Sequence, residues 1–280
     1  MKFTPLHVPE LIREHGLHPT KGLGQNFLIN EGALEKVVVA ASIQPEDSVL
    51  EIGPGLGSLT RHLALMAKHV VAVELDETLL PVLGKVLLPY TNIQIIHADI
   101  LAVNLVELEL PPGYLVVANI PYYITSALLR QLLEAPRPPA RLVLTVQKEV
   151  AERICSQAGS MSLLSLSVQV YGKPQIAAHI AAGSFYPKPN VDSAVVRVDL
   201  YEQPLISPDK LDLFFQLIKA GFSQKRKTLS NTLSNGMQWS KQETISRLEA
   251  AGIDPQRRAQ TLSLPEWERL VEKSQGEIAW

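Results

Sequence analysis

A chain of 280 residues with a formal net charge of −2, 46% hydrophobic and 19% charged residues has the make-up of a folded globular protein, which excludes an intrinsically disordered or fibrous one. Its length accommodates one large domain and a small one. The single cysteine, Cys155, excludes an intrachain disulfide and a cysteine-based zinc cluster, and its thiol is read as filling space.

The start, MKFTPLHVPELIREHG, has an early lysine but no continuous apolar stretch of the kind a signal peptide needs. The most apolar region, Val70 to Leu75, is too short to span a bilayer. The expectation is a soluble cytoplasmic protein that does not associate with membrane, with a monomer as the plain reading of its assembly. The acids are unevenly spread. No carboxylate lies between Glu14 and Glu31, between Glu152 and Asp192, or between Asp212 and Glu243, whereas Arg153, Lys173, Lys188, Lys219, Lys225, Arg226, Lys227 and Lys241 fall in the last two gaps. One face can therefore be basic in a chain that is nearly neutral. What attracts a phosphate backbone is local field, not net charge.

In chain order, Ser48–Ile52 is a short apolar run closed by glycines, and Ser58–Lys68 has helical spacing. Val70–Val73, Ile93–Ile96, Leu115–Ala118 and Leu142–Val146 are further apolar runs. Strands apolar throughout belong in a parallel sheet covered on both faces. Their alternation with helical segments predicts a doubly wound α/β domain, with its functional residues at the carboxyl ends of the strands. After Tyr201 the texture changes. Gln203, Pro204, Ser207 and Pro208 read as a linker, and helices are expected over Asp209–Ala220, a basic stretch Phe222–Leu233, Lys241–Ala250 and Pro265–Lys273, the last capped by Ser263. The domains are placed at 1–202 and 203–280.

The first chemical motif, Glu51-Ile52-Gly53-Pro54-Gly55-Leu56-Gly57, follows a strand and opens a helix. Glu74 ends the next run, 21 residues after Gly53, where a carboxylate can accept both ribose hydroxyls of a nucleoside cofactor. A nicotinamide dinucleotide and S-adenosylmethionine both fit this much. The Gly-x-Gly-x-Gly spacing differs from the loop that cradles a pyrophosphate, which favours S-adenosylmethionine. Its sulfonium tolerates Glu51, which serves equally well as a structural acid. Asp99, ending the third run, can accept the exocyclic amine of a cofactor adenine or simply cap a helix. Asn119-Ile120-Pro121-Tyr122 ends the fourth run. Exocyclic adenine amines are poor nucleophiles because their lone pair is delocalised into the ring. An asparagine oxygen and a neighbouring backbone carbonyl can hold the amine hydrogens and turn the lone pair toward a methyl donor. Pro121 fixes the turn, and Tyr122 offers a flat face worth about 1–3 kcal/mol in stacking. Catalysis is then chiefly alignment.

With these motifs the sequence resembles the ribosomal RNA adenine N6-dimethyltransferases, in particular the small-subunit type. The likeness runs through Gly24-Gln25-Asn26-Phe27-Leu28, the glycine loop, Glu74, Asp99, Asn119–Tyr122, Gln147–Arg153, Phe185–Ser193 and Phe222–Leu229. It implies a Rossmann-like, seven-stranded methyltransferase sheet whose last strand, Ala194–Leu200, is antiparallel, followed by a small all-helical C-terminal domain. It implies that Asn26, Leu28, Gly53, Gly55, Glu74, Asp99 and Asn119 contact S-adenosylmethionine, with no metal. Asn119, Ile120, Pro121 and Tyr122 would receive the target adenine, extruded from its stack. Phe185, which from residue chemistry alone serves as well in the core, would cover its other face. Lys225, Arg226 and Lys227, with Arg226 and Lys227 on a C-terminal helix, would contact phosphates. The implied substrate is a pair of adjacent adenines in a hairpin loop near the 3′ end of 16S rRNA, within the small ribosomal subunit or its precursor. Tyr123 and Asn30 depart from the family's usual asparagine and aspartate. Two other readings stand beside this one: a large-subunit methyltransferase of the macrolide-resistance type, and a non-catalytic ribosome-assembly or transcription factor.

Overall fold

The computed structural model describes residues 5–275, apart from the side chains of Lys21 and Tyr122. Its strands are β1 (Phe27–Leu28), β2 (Ser48–Ile52), β3 (His69–Glu74), β4 (Ile93–His97), β5 (Leu115–Asn119), β6 (Arg141–Gln147), β7 (Gly172–Ile180), β8 (Phe185–Tyr186) and β9 (Ser193–Leu200). Seven of them form one sheet in the order β4-β3-β2-β5-β6-β9-β7. The neighbours from β4 to β6 run parallel, and β9 runs antiparallel to β6. This is the expected Rossmann-like α/β sheet with its antiparallel last strand. The chain leaves β2 toward β3 and β4, then returns to lay β5 and β6 on the other side. The order reverses between β2 and β5, which is where ligands bind in such sheets.

The apolar runs become strands because both of their faces are covered. Every residue of β2 is buried, as are Val70–Glu74 and Leu115–Ala118. Helices α1 (Val8–Glu14), α2 (Glu31–Ala41), α3 (Ser58–Met66), α4 (Leu80–Leu87) and α5 (Thr125–Leu133) belong to the same unit. Leu34, Val37 and Leu63 pack with Val49, Leu115, Val117 and Val143 in one core cluster, each such side chain contributing about 1.5–3 kcal/mol by burial. Asn30 begins α2 as an N-cap, its Oδ1 accepting the Ala33 N–H at 2.9 Å. At the other end, the carbonyls of Ala41 and Ala40 accept from Arg141 (2.7 Å) and Arg197 (3.1 Å), which satisfies groups a helix leaves orphaned. Asp199 holds both arginines, at 2.6 and 2.8 Å. Burial works to raise its pKa, but the hydrogen bonds and charges of Arg197 and Arg141 keep it below the usual carboxylate range.

Helix α6 (Lys148–Ile154) carries the chain into a second compact unit made of Glu152–Lys173 and Tyr201–Trp280. Its helices are α7 (Leu163–Gln169), α8 (Leu211–Phe222), α9 (Leu229–Met237), α10 (Lys241–Ala250) and α11 (Leu264–Ser274). The helical unit therefore draws on a segment that precedes the boundary read at 202. Trp267 is fully buried and stacks on Phe222 with ring centroids 6.1 Å apart. Ser263 starts α11 as expected, with the Glu266 carboxylate accepting from the Ser263 backbone at 2.8 Å and from its hydroxyl at 3.0 Å. The basic stretch corrects the reading of a helix over Phe222–Leu233. Lys225, Arg226 and Lys227 lie in an exposed turn between α8 and α9. Ser223 closes α8 by donating its hydroxyl to the Ala220 carbonyl at 2.7 Å, and Lys227 N–H bonds back to Gln224 at 3.1 Å. Such local bonds compete with the helix ladder.

Candidate active site

The strand tips supply a floor. The residues that end β2, β3 and β5, together with Asp99 just past β4, converge on one cleft lined by Ile52, Gly53, Gly55, Glu74, Asp99 and Asn119. Its open space is about 940 Å³, a figure that includes the mouth. Apolar walls come from Leu75, Leu79, Ile100 and Leu101. Glu74 is buried and accepts the Gly55 N–H on Oε2 and the Asp76 N–H on Oε1, each at 2.9 Å. One carboxylate thus fixes the glycine loop against the end of β3. Burial raises its pKa, and the bonds from Asp76 and Gly55 offset part of that. Glu51 is buried behind the loop, and its Oε2 has no hydrogen-bond partner among the described residues. Burial, partly countered by the Thr60 hydroxyl and reinforced by the Glu74 charge, pushes its carboxyl up to about 8. Asp99 is exposed, lines the cleft and accepts the Leu101 N–H at 2.9 Å; a turn follows it, so the alternative of a helix cap is not what is observed.

A roof comes from Leu23–Phe27. Gln25 donates to Asp76 at 2.6 Å and accepts the Thr20 N–H at 2.7 Å. The Asp76 pKa is lowered: burial works to raise it, but the bonds from Thr78 and Gln25 outweigh that. Asn119 Nδ2 donates to the Asn26 carbonyl at 2.9 Å, which leaves the Asn119 oxygen to accept from whatever enters. Gly55, at φ +60°, passes under the Phe27 ring, and a Cβ there would come within 2.8 Å of it. Loop and roof can close on each other only because residue 55 lacks a side chain.

The cleft gathers Asn26, Gly53, Gly55, Glu74, Asp99, Asn119, Ile120 and Pro121. Two expected residues stand apart. Leu28 and Phe185 are opposite one another in the β1–β8 ribbon and lie buried together in the core cluster. Residues that face each other across a ribbon share a side, so successive positions alternate: the core takes Leu28 and Phe185, and the cleft takes Phe27. The alternative left open for Phe185, a core position, is the one observed. The Tyr122 side chain lies outside the described residues. Phe27, Gln25 and Asp76 were not foreseen. The signal for Phe27 was its odd–even offset from Leu28. Gln25 and Asp76 meet across 51 residues, and no local pattern announces that. Asn30 caps α2 and does not line this cleft. Among the described residues no group of three or more His, Cys, Asp or Glu is placed to hold a metal, and no helix is long and apolar enough to cross a membrane.

A parallel sheet that reverses between β2 and β5, a glycine loop, an acid at the tip of β3 and an amide at the tip of β5 together define a Rossmann-like methyltransferase. The description of the ribosomal RNA adenine dimethylase family matches residues 18–274. A Dehalococcoides mccartyi protein named ribosomal RNA small subunit methyltransferase A is 47% identical over 264 residues, 93% of this chain and 90% of its own. The Anoxybacillus flavithermus protein of the same name is 40% identical over 280 residues, 96% and 95% of the two chains. Among solved structures, a dimethyladenosine transferase from Plasmodium falciparum superposes with a TM-score of 0.75 at 28% identity, covering 87% of this chain and 95% of its own. The 23S rRNA methyltransferase ErmE gives 0.74 at 27%, covering 89% and 99%. The chain belongs to the ribosomal RNA adenine dimethylase family.

Proposed function

We propose that this protein transfers methyl groups from S-adenosylmethionine to N6 of two adjacent adenines in the 3′-terminal hairpin loop of 16S rRNA, acting as a monomer on the small ribosomal subunit or its precursor in the cytoplasm. The observation that carries this reading is the Asn119 amide, held by Asn26 so that its oxygen remains as an acceptor beside the loop that receives a nucleoside cofactor.

The residues present fit the cofactor. The Glu74 oxygens are held by backbone N–H groups, among them Gly55 on Oε2 and Asp76 on Oε1, and a carboxylate has lone pairs beyond these for ribose hydroxyls. Asp99 can accept an adenine amine between the apolar walls of Ile100 and Leu101. When bound, S-adenosylmethionine supplies an electrophilic methyl group. The chain's part is to orient the acceptor amine. Asn119 Oδ1 and a backbone carbonyl of the Asn119–Pro121 turn take its two hydrogens, which points the nitrogen lone pair along the line of transfer. No strong base is required, because the amine hydrogens become acidic once the nitrogen is alkylated. After the first transfer the monomethylated amine keeps one N–H to be held for the second; the dimethylated product has none. Lys225, Arg226 and Lys227, exposed on the turn of the helical unit, suit phosphate contacts that position without reading sequence.

The relatives at 40–47% identity carry the small-subunit name, which favours this reading over the large-subunit and non-catalytic ones. The test is incubation with labelled S-adenosylmethionine and either unmethylated small subunits or large subunits, followed by mapping of the labelled bases. Two adjacent dimethylated adenines in the small subunit are expected. Label confined to the large subunit, or none in either, overturns the reading.

A further inference from the structure

Tyr123 is the most exposed large aromatic residue among those described, at 61%, against 36% for Tyr186 and Tyr201. It also lines the cleft. The short 3-10 turn Tyr122–Ile124 that follows Pro121 buries Ile124 and turns Tyr123 outward. The ring is not loose in solvent. Gly24 of the roof runs along one edge of it, so close that a Cβ on Gly24 would lie 3.6 and 3.7 Å from two ring carbons and 3.4 Å from Pro121 Cβ. The result is a flat apolar surface, backed on one edge by the roof, open over most of its area and four residues beyond Asn119. Burying this ring in the core would be favourable by area alone, yet the turn holds it at the mouth of the cleft.

We propose that Tyr123 is a stacking platform for the nucleobase that flanks the adenine held at Asn119, and so a positioning and specificity-determining residue for the RNA. This rests on the reading of the cleft given above. A base that leaves its helix to enter a pocket loses stacking with its neighbour. An aromatic face at the rim restores it to the neighbour left outside, and every base has a π-face to offer. Purines present the larger face, so a flanking adenine is preferred to a flanking pyrimidine. In a substrate with two adjacent adenines, each is then the neighbour that helps seat the other.

The test is a double-mutant cycle. Wild type, Tyr123→Leu and Tyr123→Phe are assayed on unmethylated small subunits carrying either adenine or uracil beside the adenine to be methylated. With the natural neighbour, Tyr123→Leu is expected to raise KM for the subunit roughly tenfold, with a smaller change in kcat, while affinity for S-adenosylmethionine read by calorimetry moves far less. Tyr123→Phe, which keeps the flat face, restores KM relative to Tyr123→Leu. Exchanging the neighbour for uracil penalises the wild type and leaves Tyr123→Leu nearly indifferent. Independent, additive penalties from the two changes overturn the platform, as does a Phe variant as impaired as the Leu variant. If the wild type methylates neither small-subunit substrate, the function proposed above fails and the platform fails with it. Normal wild-type transfer with additive penalties sinks the platform alone.

Discussion

The floor and the roof of the cleft hold the same ligand space by different means. The floor is local. Each of its polar groups ends an apolar run, so chain direction and sheet order deliver Glu74, Asp99 and Asn119 to one edge. The roof is long-range. Leu23–Phe27 keeps its place through two hydrogen bonds to distant residues, Gln25 to Asp76 and Asn119 to Asn26, and through contact of Phe27 with Gly55. The difference teaches that chemistry is written at the strand tips while closure depends on a handful of tertiary contacts. Damage to the floor should remove catalysis, and damage to the roof should loosen binding first.

Asn119→Ala tests this most severely, because Asn119 belongs to both surfaces. Loss of an acceptor used during transfer is expected to lower kcat by about a hundredfold or more, with weaker loss of cofactor affinity. Single-turnover kinetics with calorimetry separates the two, and full activity would remove Asn119 from the mechanism. Gly55→Val drives floor and roof apart. A left-handed non-glycine residue costs about 1–2 kcal/mol, and its Cβ meets Phe27 as well. A lower melting temperature and at least roughly tenfold weaker cofactor binding are expected, and unchanged affinity would show that the roof does not need to close. Gln25→Ala cuts the tether to Asp76 and the local bond from Thr20, each worth about 1 kcal/mol. It should weaken cofactor binding by about fivefold and leave kcat at saturation near wild type. A kcat loss matching that of Asn119→Ala would erase the distinction between the two surfaces.

The smallest effect concerns pH. Glu51, held up at about 8 against its usual 4.5, keeps a proton when folded that the unfolded chain releases. Stability should therefore fall as pH rises from about 4.5 through about 8. Glu51→Gln should flatten that decline in a series of thermal melts, and parallel curves for the two proteins would show that Glu51 is already ionised.

Most of the floor was legible in the sequence because strand periodicity and a polar terminus are both local signals. Ser48–Ile52 and the tips at Glu74 and Asn119 emerge where the apolar runs place them. The roof was less legible. Phe185 and Leu28 carry family motifs, yet ribbon register sends both into the core and presents Phe27 instead. Strand β7 escaped notice because Lys173, Gln175 and His179 interrupt any apolar run, although alternate burial is what an edge strand needs. In the helical unit, Ser223–Thr228 contains no glycine or proline to mark a break, so the turn that displays Lys225, Arg226 and Lys227 was hidden within a helical expectation. It exists because serine and glutamine satisfy backbone groups locally.

The grip of the Asn26 carbonyl on the Asn119 amide has a consequence for which bases are refused. With one amide hydrogen held by that carbonyl, the side chain is fixed with its oxygen on the opposite side of the amide, where it can accept from an incoming ring. A guanine or uracil whose carbonyl oxygen met that oxygen would set two acceptors against each other. On the proposed reading, a peptide group of the roof disfavours keto bases without touching them, by fixing which way the Asn119 amide faces.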